Sequence, residues 1–449
     1  MSKIKHDISI RLVKFVSILL SSLCFGVVWF IYYAKTIESP FYKKGNYLVI
    51  LLFAILFFTF AKIYDSFKIS INSIYEVAYS QILAIIASDG IIYLVTMLLE
   101  KGFPNILPLV CALFFQSIFA VMWSYFANHW YFRTFPPKKS VVVYDLEFGF
   151  ERLIKEYNLE KKYNILETMT VEECLSNLDS LKEIETVFIR GVHSRDRNII
   201  LKYCIEHSIE VLVIPRVGDV LMSSSQPIHM FHLPILKVNR YNASLEYLFI
   251  KRFLDILLSL VAIIVLSPIM LGVALAIKIS DGGPIIYSQV RLTKDGKKFK
   301  IYKFRSMRTD AEKDGVARLS TGDSDDRITP VGKVIRKYRL DELPQLFNIL
   351  GGSLSICGPR PERPEIAEQY CEEMPEFSLR LQAKAGLTGY AQVYGKYNTT
   401  PYDKLQMDLM YIAHPSLIED IKIILATVKI LFMKESTEGI EEGKLTAVK

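Results

Sequence analysis

Hydrophobic residues divide this chain into two parts of different character. Residues 1–135 are overwhelmingly apolar, with four long stretches at about 12–33, 47–66, 81–99 and 106–127. Each stretch is roughly 19–23 residues long, which is enough for a helix to cross the hydrocarbon core of a bilayer. The pattern therefore predicts a membrane protein that begins with an α-helical four-span bundle.

Basic residues are distributed unevenly between the two ends of these spans. One side carries Lys3, Lys5, Arg11, Lys14, Lys62, Lys68, Arg133, Lys138 and Lys139. The opposite loops carry only Lys35, Lys43, Lys44 and Lys101. Since Lys and Arg are concentrated in cytoplasmic loops, we expect everything after residue 135 to face the cytoplasm. No small-residue cleavage pattern follows the first span, so we interpret it as an anchor and not as a signal peptide.

Short apolar runs alternate with amphipathic ones between residues 136 and 245. Strands are predicted over SVVVY (140–144), TVFIRGV (186–192) and EVLVIP (210–215), and helices over 147–158 and RDRNIILKYCIEH (195–207). Strands that alternate with helices predict a parallel sheet, here a Rossmann-like cytoplasmic domain. Its first turn, DLEFG at 145–149, lacks the GxGxxG pattern of dinucleotide sites, which favours a regulatory or structural role.

A fifth apolar run, 253–277, lies within a segment at 246–280 that differs from the other spans. Ser267 and Pro268 stand near its middle, and proline removes a backbone donor from a helix. Both flanks are basic, so we expect both ends on the cytoplasmic side. We predict a re-entrant helix that breaks at Ser267 and Pro268; the alternative is a fifth spanning helix with a kink.

Composition and charge narrow the classes of partner. A formal charge of +7 does not by itself indicate nucleic acid, and we expect anionic lipid or an anionic substrate instead. The six cysteines form no CxxC pair, so neither a disulfide framework nor a zinc site is expected. His229 and His232 are too few for a metal site. Asp89, inside the third span, is either functional or faces a water-accessible bundle interior.

The most informative stretch is RKYRLDELPQLFNIL at 336–350, where Asp341 and Glu342 are adjacent. We predict a helix over LPQLFNIL, with Pro344 in its first turn and Asp341 as its N-cap. A helix N-terminus favours phosphate, so one carboxylate can attack phosphorus while the other holds Mg²⁺. Adjacent acids at a helix start are also common as simple caps, and spacing alone leaves both interpretations open.

Three further loops in the same region are rich in arginine, lysine and glycine. They are KFRSM (303–307), GPRPE (358–362) and AGLTGYAQVYGK (385–396), with Gln392 in the last. Arginine gives bidentate phosphate contacts, and glycine permits close backbone approach. The loops predict an anion site; the alternative is a solvated basic face near anionic lipid.

From about residue 250 onward the chain resembles the bacterial sugar transferase family of polyprenyl-phosphate hexose-1-phosphate transferases. The matching runs, in the family's order, are KRFLDILLSLVAIIVLSP, GPIIYSQVRL, KFRSM, DRITPVGKVIRKYRLDELPQLFNILGGSLSICGPRPE and GLTGYAQVYG. Residues 1–135 and 136–245 resemble the front half of the family's long form. The remainder, 281–449, is then expected to be a small, mainly α (α+β) catalytic domain.

The resemblance implies a two-step displacement on a membrane surface. Asp341 would attack the β-phosphate of a UDP-sugar and release UMP, and undecaprenyl phosphate would then accept the sugar phosphate. Glu342 would be the Mg²⁺ ligand, with Asp341 beside it. The residues assigned to phosphate or nucleotide are Lys303, Arg305, Arg336, Arg339 and Arg360. Gln392 would bind substrate, and Asp408 would support the site.

The same resemblance implies a setting and a pathway. We expect a multi-pass protein of the bacterial inner membrane that initiates exopolysaccharide, capsule or O-antigen synthesis, with UDP-glucose or UDP-galactose as donor and glucose favoured. Nucleic acid is not an expected partner, and the α/β domain is expected to support a homodimer. Ala385 and Lys396 depart from the Pro and Arg that many members have there.

Two other classes of function explain the sequence less completely. A membrane receptor or scaffold of a polysaccharide-synthesis complex explains residues 1–240 but leaves the motifs of 281–449 without a purpose. A processive glycosyltransferase needs dispersed Asp motifs and a larger nucleotide-sugar domain, and the sequence offers neither.

Overall fold

A computed structural model describes residues 3–41, 44–145, 154–155, 159–240, 243–308, 327–395 and 399–431. The chain divides into two compact units, Met1–Ile214 and Pro215–Lys449.

The four apolar stretches at the N-terminus form helices. They are α1 (Lys3–Val28), which continues through a π-helical turn (Trp29–Tyr33) and a last turn (Ala34–Thr36), α2 (Gly45–Ile63), α3 (Ile74–Glu100) and α4 (Leu107–Thr134). A capping box formed by Ser73 and Glu76 starts α3. Each helix is long and apolar enough to cross a membrane, as expected.

Polar side chains are buried inside this bundle. Ser17 Oγ donates to Gln81 Oε1 over 3.3 Å, and Gln116 Nε2 donates to the carbonyl of Ser21 over 3.2 Å. Asp89 is only 4% exposed, and within the described residues neither of its carboxylate oxygens has a hydrogen-bond partner. Asp89 therefore faces the bundle interior, while its functional role stays a prediction.

A four-stranded parallel sheet follows in the first unit. Its strands are β1 (Lys138–Tyr144), β2 (Tyr163–Thr170), β3 (Thr186–Arg190) and β4 (Glu210–Val213), in the order β2-β1-β3-β4. Its helices are α5 (Val171–Ser176) and α6 (Ser194–Glu206). The parallel sheet is confirmed, but β2 was not predicted. Three of the eight residues of this edge strand are exposed, and its polar residues hide the apolar alternation. The helix predicted at 147–158 lies mostly outside the described residues.

The second unit begins with a helix and a hairpin and then enters its membrane helix. These elements are α7 (Val217–Ser223), β5 (Gln226–Met230), β6 (Leu233–Lys237) and α8 (Leu245–Asp281). α8 brings to five the described helices that are long and apolar enough to cross a membrane.

The expected break at Ser267 and Pro268 does not divide α8 into two helices. The helix is continuous with Pro268 inside it. Pro268 cannot donate to the carbonyl of Ile264, one turn earlier, but Ser267 Oγ donates to that oxygen over 2.8 Å. The hydroxyl thus replaces the missing backbone donor, which explains why helical geometry survives there. Whether α8 re-enters the membrane stays a prediction.

The rest of the second unit is a small α+β region. Its strands are β7 (Ile286–Leu292), β8 (Lys298–Phe304), β9 (Ser355–Cys357) and β10 (Gly386–Thr388), and its helices are α9 (Pro330–Lys337), α10 (Gln345–Leu350), α11 (Pro364–Glu373), α12 (Tyr390–Val393), α13 (Pro401–Ala413) and α14 (Leu417–Leu431). β7 pairs antiparallel with β8, and β9 pairs parallel with β10. These two-stranded sheets hold the loops that were predicted to form an anion site.

Candidate active site

A tight chain reversal places the two adjacent acids. α9 ends at Lys337, and Arg339 then adopts a left-handed conformation with φ +53°. Left-handed backbone is unusual for arginine, and here it turns the chain into a single 3₁₀ turn, Leu340–Glu342. Helix α10 begins only afterwards, with Pro344 at its N-cap. The prediction of Asp341 as a helix N-cap is therefore wrong, since Asp341 lies buried inside the 3₁₀ turn.

Cationic side chains from two other segments meet the acids. Lys303 on β8 lies with its Nζ 2.8 Å from Glu342 Oε1 and 3.8 Å from Asp341 Oδ2. Arg360, in the loop after β9, lies with its Nη2 3.2 Å from the same Glu342 oxygen. Four residues that the sequence singled out separately are thus brought together in one cluster.

The two carboxyls respond to this cluster in opposite directions. Burial raises the pKa of Asp341, with Lys303 opposing the effect and the charge of Glu342 reinforcing it. Burial also works against ionisation of Glu342, but the charges of Lys303 and Arg360 outweigh it and hold the pKa of Glu342 well below its usual range. Glu342 is therefore the permanent anion of the pair, and Asp341 is the carboxyl whose charge is least stabilised.

The loop at residues 357–362 is held rigidly by its carbonyl groups. The carbonyl of Pro359 accepts from the Gly386 amide over 2.9 Å, and that of Arg360 accepts from Arg380 Nη2 over 2.9 Å. The carbonyl of Pro361 accepts from Arg291 Nη1 over 3.2 Å. With its backbone fixed, this loop directs the Arg360 side chain toward Glu342.

Asp408 stabilises this loop indirectly, through Arg380. It is buried on α13, where its Oδ2 accepts from both Nε (2.9 Å) and Nη2 (2.5 Å) of Arg380. Arg380 in turn donates to the carbonyl of Arg360. Arg380 is the residue that sequence reasoning missed, because it is a lone arginine between Leu379 and Leu381. A charged residue flanked by apolar ones in a globular segment is the one available signal of a buried ion pair.

The other predicted binding residues have different surroundings. Arg305 is buried, and its Nε donates to the carbonyl of Pro284 over 2.7 Å, beneath the turn that follows α8. Arg336 and Arg339 flank the reversal and lie within electrostatic range of the acids. Gln392 Nε2 donates to the carbonyl of Leu387 over 2.9 Å, inside the glycine-rich loop. Lys396 lies outside the described residues.

The glycines of the loop at 386–389 allow close contact with another part of the backbone, whereas the sequence suggested close approach to a ligand. A side chain at Gly386 or Gly389 would overlap the backbone of Gly358. The Gly358 amide also donates to the carbonyl of Thr388 over 2.9 Å. Glycine thus lets the loop at 386–389 lie against the loop that carries Arg360.

The donor atoms suit a hard cation such as Mg²⁺. The described residues contain no cluster of three or more His, Cys, Asp or Glu side chains that could hold a metal ion. Mg²⁺ is commonly bound by one or two carboxylates with water and substrate phosphates completing its shell. Asp341 and Glu342 supply that number of carboxylates, so the site fits a metal that is bound together with a phosphate substrate.

Comparison with known proteins shows which family the chain is similar to. The sequence model of the family described as bacterial sugar transferase matches residues 246–434. A protein of Aeromonas hydrophila named UDP-N-acetylgalactosamine-undecaprenyl-phosphate N-acetylgalactosaminephosphotransferase is 42% identical over 186 residues, 41% of this chain and 44% of that protein. The UDP-glucose:undecaprenyl-phosphate glucose-1-phosphate transferase of Klebsiella pneumoniae is 36% identical over 269 residues, 56% of each chain.

A shorter relative is matched almost completely. The exopolysaccharide production protein PSS of Rhizobium leguminosarum bv. phaseoli is 40% identical over 201 residues, which are 43% of this chain and 98% of that protein. By contrast, this chain matches only about half the length of the Aeromonas and Klebsiella proteins. The family match at residues 246–434 lies within the second unit.

Proposed function

The chain belongs to the bacterial sugar transferase family, and from that premise we propose that it transfers a hexose-1-phosphate from a UDP-sugar to undecaprenyl phosphate. The products are UMP and an undecaprenyl-diphospho-sugar, the lipid on which an exopolysaccharide, capsule or O-antigen repeat is begun. UDP-glucose or UDP-galactose is the proposed donor.

Asp341 is the proposed nucleophile. One of its carboxylate oxygens forms a bond to the β-phosphorus, the bond from that phosphorus to the bridging oxygen breaks, and UMP leaves with the electron pair. The carboxylate least stabilised by neighbouring charge is the better nucleophile, which is why Asp341 suits this role and Glu342 does not. An oxygen of undecaprenyl phosphate then attacks the same phosphorus and releases the aspartate carboxylate.

The surrounding charges suit the stabilisation of phosphate. Lys303 and Arg360 point at one oxygen of Glu342 and can turn to the oxygens of an arriving diphosphate. Mg²⁺, held by Glu342 with Asp341, would neutralise phosphate charge when bound. Arg305 and Asp408, both buried in internal contacts, hold the fold around the site.

Contacts of α8 support a location of both its ends at one face of the membrane, and the uneven distribution of Lys and Arg favours the cytoplasmic face. Near its start, Arg252 contacts α10 and Asp255 contacts β9. Near its end, Val273 and Ile277 pack in the same unit with Phe304. A helix with one end on each side of a bilayer cannot pack both ends against one water-facing domain. The arrangement therefore favours a re-entrant helix. Such a helix leaves Asp341 and Glu342, here called the dyad, where cytoplasmic UDP-sugar and a lipid phosphate can both reach them.

One observation carries the proposal most directly: a buried Asp341 beside a Glu342 that is paired with Lys303 and Arg360. The test uses the full chain in nanodiscs with undecaprenyl phosphate and a panel of UDP-glucose, UDP-galactose and UDP-N-acetylgalactosamine. We expect UMP release and a lipid product heavier by one hexose phosphate. A product that carries the sugar without an added phosphate would refute the proposal. No reaction with any donor would also refute it and would leave a receptor or scaffold.

A further inference from the structure

Polar residues near the N-terminus of helix α8 are less exposed than residues at a membrane surface would be. Tyr247, Lys251 and Asp255 are spaced four apart, so they share one face of the helix, and Arg252 lies beside them. Basic residues at the start of a membrane helix ordinarily contact anionic lipid headgroups. Here the Lys251 side chain is only 13% exposed, and Asp255 is buried.

Arg252 and Asp255 hold the two segments that lead to and from the cluster. Arg252 donates from Nη1 to the carbonyl of Ile349 (2.6 Å) and from Nη2 to that of Leu350 (2.8 Å), which end α10. Asp255 accepts from Ser355 Oγ (2.8 Å) and from the Ile356 amide (3.0 Å). The first contact fixes the helix that follows the dyad, and the second fixes β9.

Lys251 reaches the same loop through a buried carboxylate. Its Nζ lies 2.8 Å from Asp420 Oδ2, and Tyr247 OH donates to that oxygen over 2.9 Å. Tyr411 OH lies 2.8 Å from Asp420 Oδ1 and 3.3 Å from the carbonyl of Cys357, the first residue of the loop that carries Arg360. A continuous hydrogen-bonded path thus joins the membrane helix to that loop.

We propose that Tyr247, Lys251, Arg252 and Asp255 form a strut that fixes the dyad and the Arg360 loop relative to the membrane helix. The inference rests on the proposed transfer reaction, in which one reactant is confined to the bilayer and the other arrives from water. Displacement of about 1 Å in such a site costs up to roughly 100-fold in rate. The strut residues touch neither reactant, so they are positioning residues.

A double-mutant cycle on the full chain in nanodiscs separates the strut from a lipid-headgroup role. The variants are Lys251→Met, Asp420→Asn and both together, with exposed Lys297→Met as matched control. Each single change is expected to lower kcat about 10-fold or more while KM for the UDP-sugar stays within about 2-fold. The double variant, which leaves no unpaired charge, is expected to be no worse than the poorer single one. The control keeps wild-type rates.

Varying the fraction of anionic lipid distinguishes the strut from a role of Lys251 at the lipid headgroups. The strut predicts the same loss for Lys251→Met at every fraction of anionic lipid, and partial recovery in Lys251→Arg. Losses that add in the double variant would show that Lys251 and Asp420 act independently, and would overturn the strut. A loss for Lys251→Met that vanishes in nanodiscs without anionic lipid would assign Lys251 to the membrane surface and would also overturn it.

Hydrogen exchange tests the strut without activity. Amides in residues 357–362 are expected to exchange faster in Lys251→Met than in wild type, with no change in the parallel sheet of the first unit. Unchanged exchange in 357–362 overturns the strut even if the variant is slow. If the wild-type protein transfers nothing, the proposed function fails, and this measurement still decides the strut.

Discussion

Asp341 and Glu342 are adjacent in sequence, but their surroundings give them different charge behaviour. Glu342 is paired closely with Lys303 and Arg360, whereas Asp341 is buried, with Lys303 at 3.8 Å and the charges of Arg336 and Arg360 also acting on it. Folding therefore raises the pKa of Asp341 and lowers that of Glu342. Two carboxylates whose environments separate their pKa values are suited to two roles.

Opposite pKa shifts predict opposite effects on stability. Because its pKa is raised by folding, ionised Asp341 destabilises the fold at neutral pH, so Asp341→Asn should keep or raise the melting temperature while it abolishes transfer. Ionised Glu342 stabilises the fold above its unfolded pKa. Glu342→Gln should therefore cost about 1–3 kcal/mol at neutral pH by leaving Lys303 and Arg360 without their carboxylate.

Thermal unfolding of the two variants in the same detergent checks this. The stability difference between wild type and Glu342→Gln should shrink as the pH falls and Glu342 becomes protonated in both the folded and the unfolded state. A melting temperature lowered more by Asp341→Asn than by Glu342→Gln would contradict it.

The acid limb of the pH–rate profile should depend on Lys303. Transfer needs ionised Asp341, so activity falls as pH drops through its raised pKa. Since Lys303 lowers that pKa, Lys303→Met should move the acid limb to higher pH, in addition to reducing kcat. Lys298→Met, an exposed lysine on the same strand, serves as control. An acid limb that stays in place in Lys303→Met would argue against Asp341 as the titrating group.

Sequence reasoning found the residues of the dyad cluster but not all of their supports. Clustered charge and glycine pointed to Asp341, Glu342, Lys303 and Arg360, and the fold brings these four together. Arg380 was not predicted, because a buried ion pair between residues 28 apart leaves only a weak local signal, a charged residue between two leucines. For the same reason, Asp408 was expected to bind or support substrate without its partner being known.

At the scale of elements, the glycine-rich loop depends on contact between backbones. Gly389→Ala should push the loop at 386–389 away from Gly358 and displace Arg360, lowering kcat about 10-fold or more. Gly218→Ala, on α7 with open space around its Cβ, is the control and should retain activity. Steady-state kinetics of the two variants decide this, and equal rates would show that the loop contact is dispensable.

Long apolar patterns predicted the helices well. Polar side chains account for the two differences, at strand β2 and within helix α8. The four N-terminal helices and three of the four parallel strands follow from periodicity alone. The edge strand β2 was missed because three of its eight residues are exposed and its polar residues hide the apolar alternation. The break in α8 was expected from Pro268, but Ser267 supplies a donor to the freed carbonyl, an effect that depends on one rotamer and not on pattern.

At the scale of the whole molecule, the two compact units differ in what the family requires of them. The Rhizobium relative is matched over 98% of its length by a segment that is 43% of this chain, so more than half of this chain has no counterpart in it. The family match at residues 246–434 lies within the second unit. We therefore expect a fragment of residues 215–449 in nanodiscs to keep transfer within about 10-fold of the full chain. UMP release by matched amounts of both proteins measures this, and an inactive but folded fragment would show that the first unit takes part in catalysis.

Capture of the covalent intermediate tests the central claim most directly. The full chain is mixed with UDP-sugar and Mg²⁺ in the absence of undecaprenyl phosphate, quenched and analysed by peptide mass spectrometry. We predict release of about one UMP per active site and a hexose-phosphoryl adduct on Asp341, absent from Asp341→Asn and discharged when the lipid is added. Full turnover with lipid but no adduct on Asp341 at any time, or an adduct on another residue, would contradict the account.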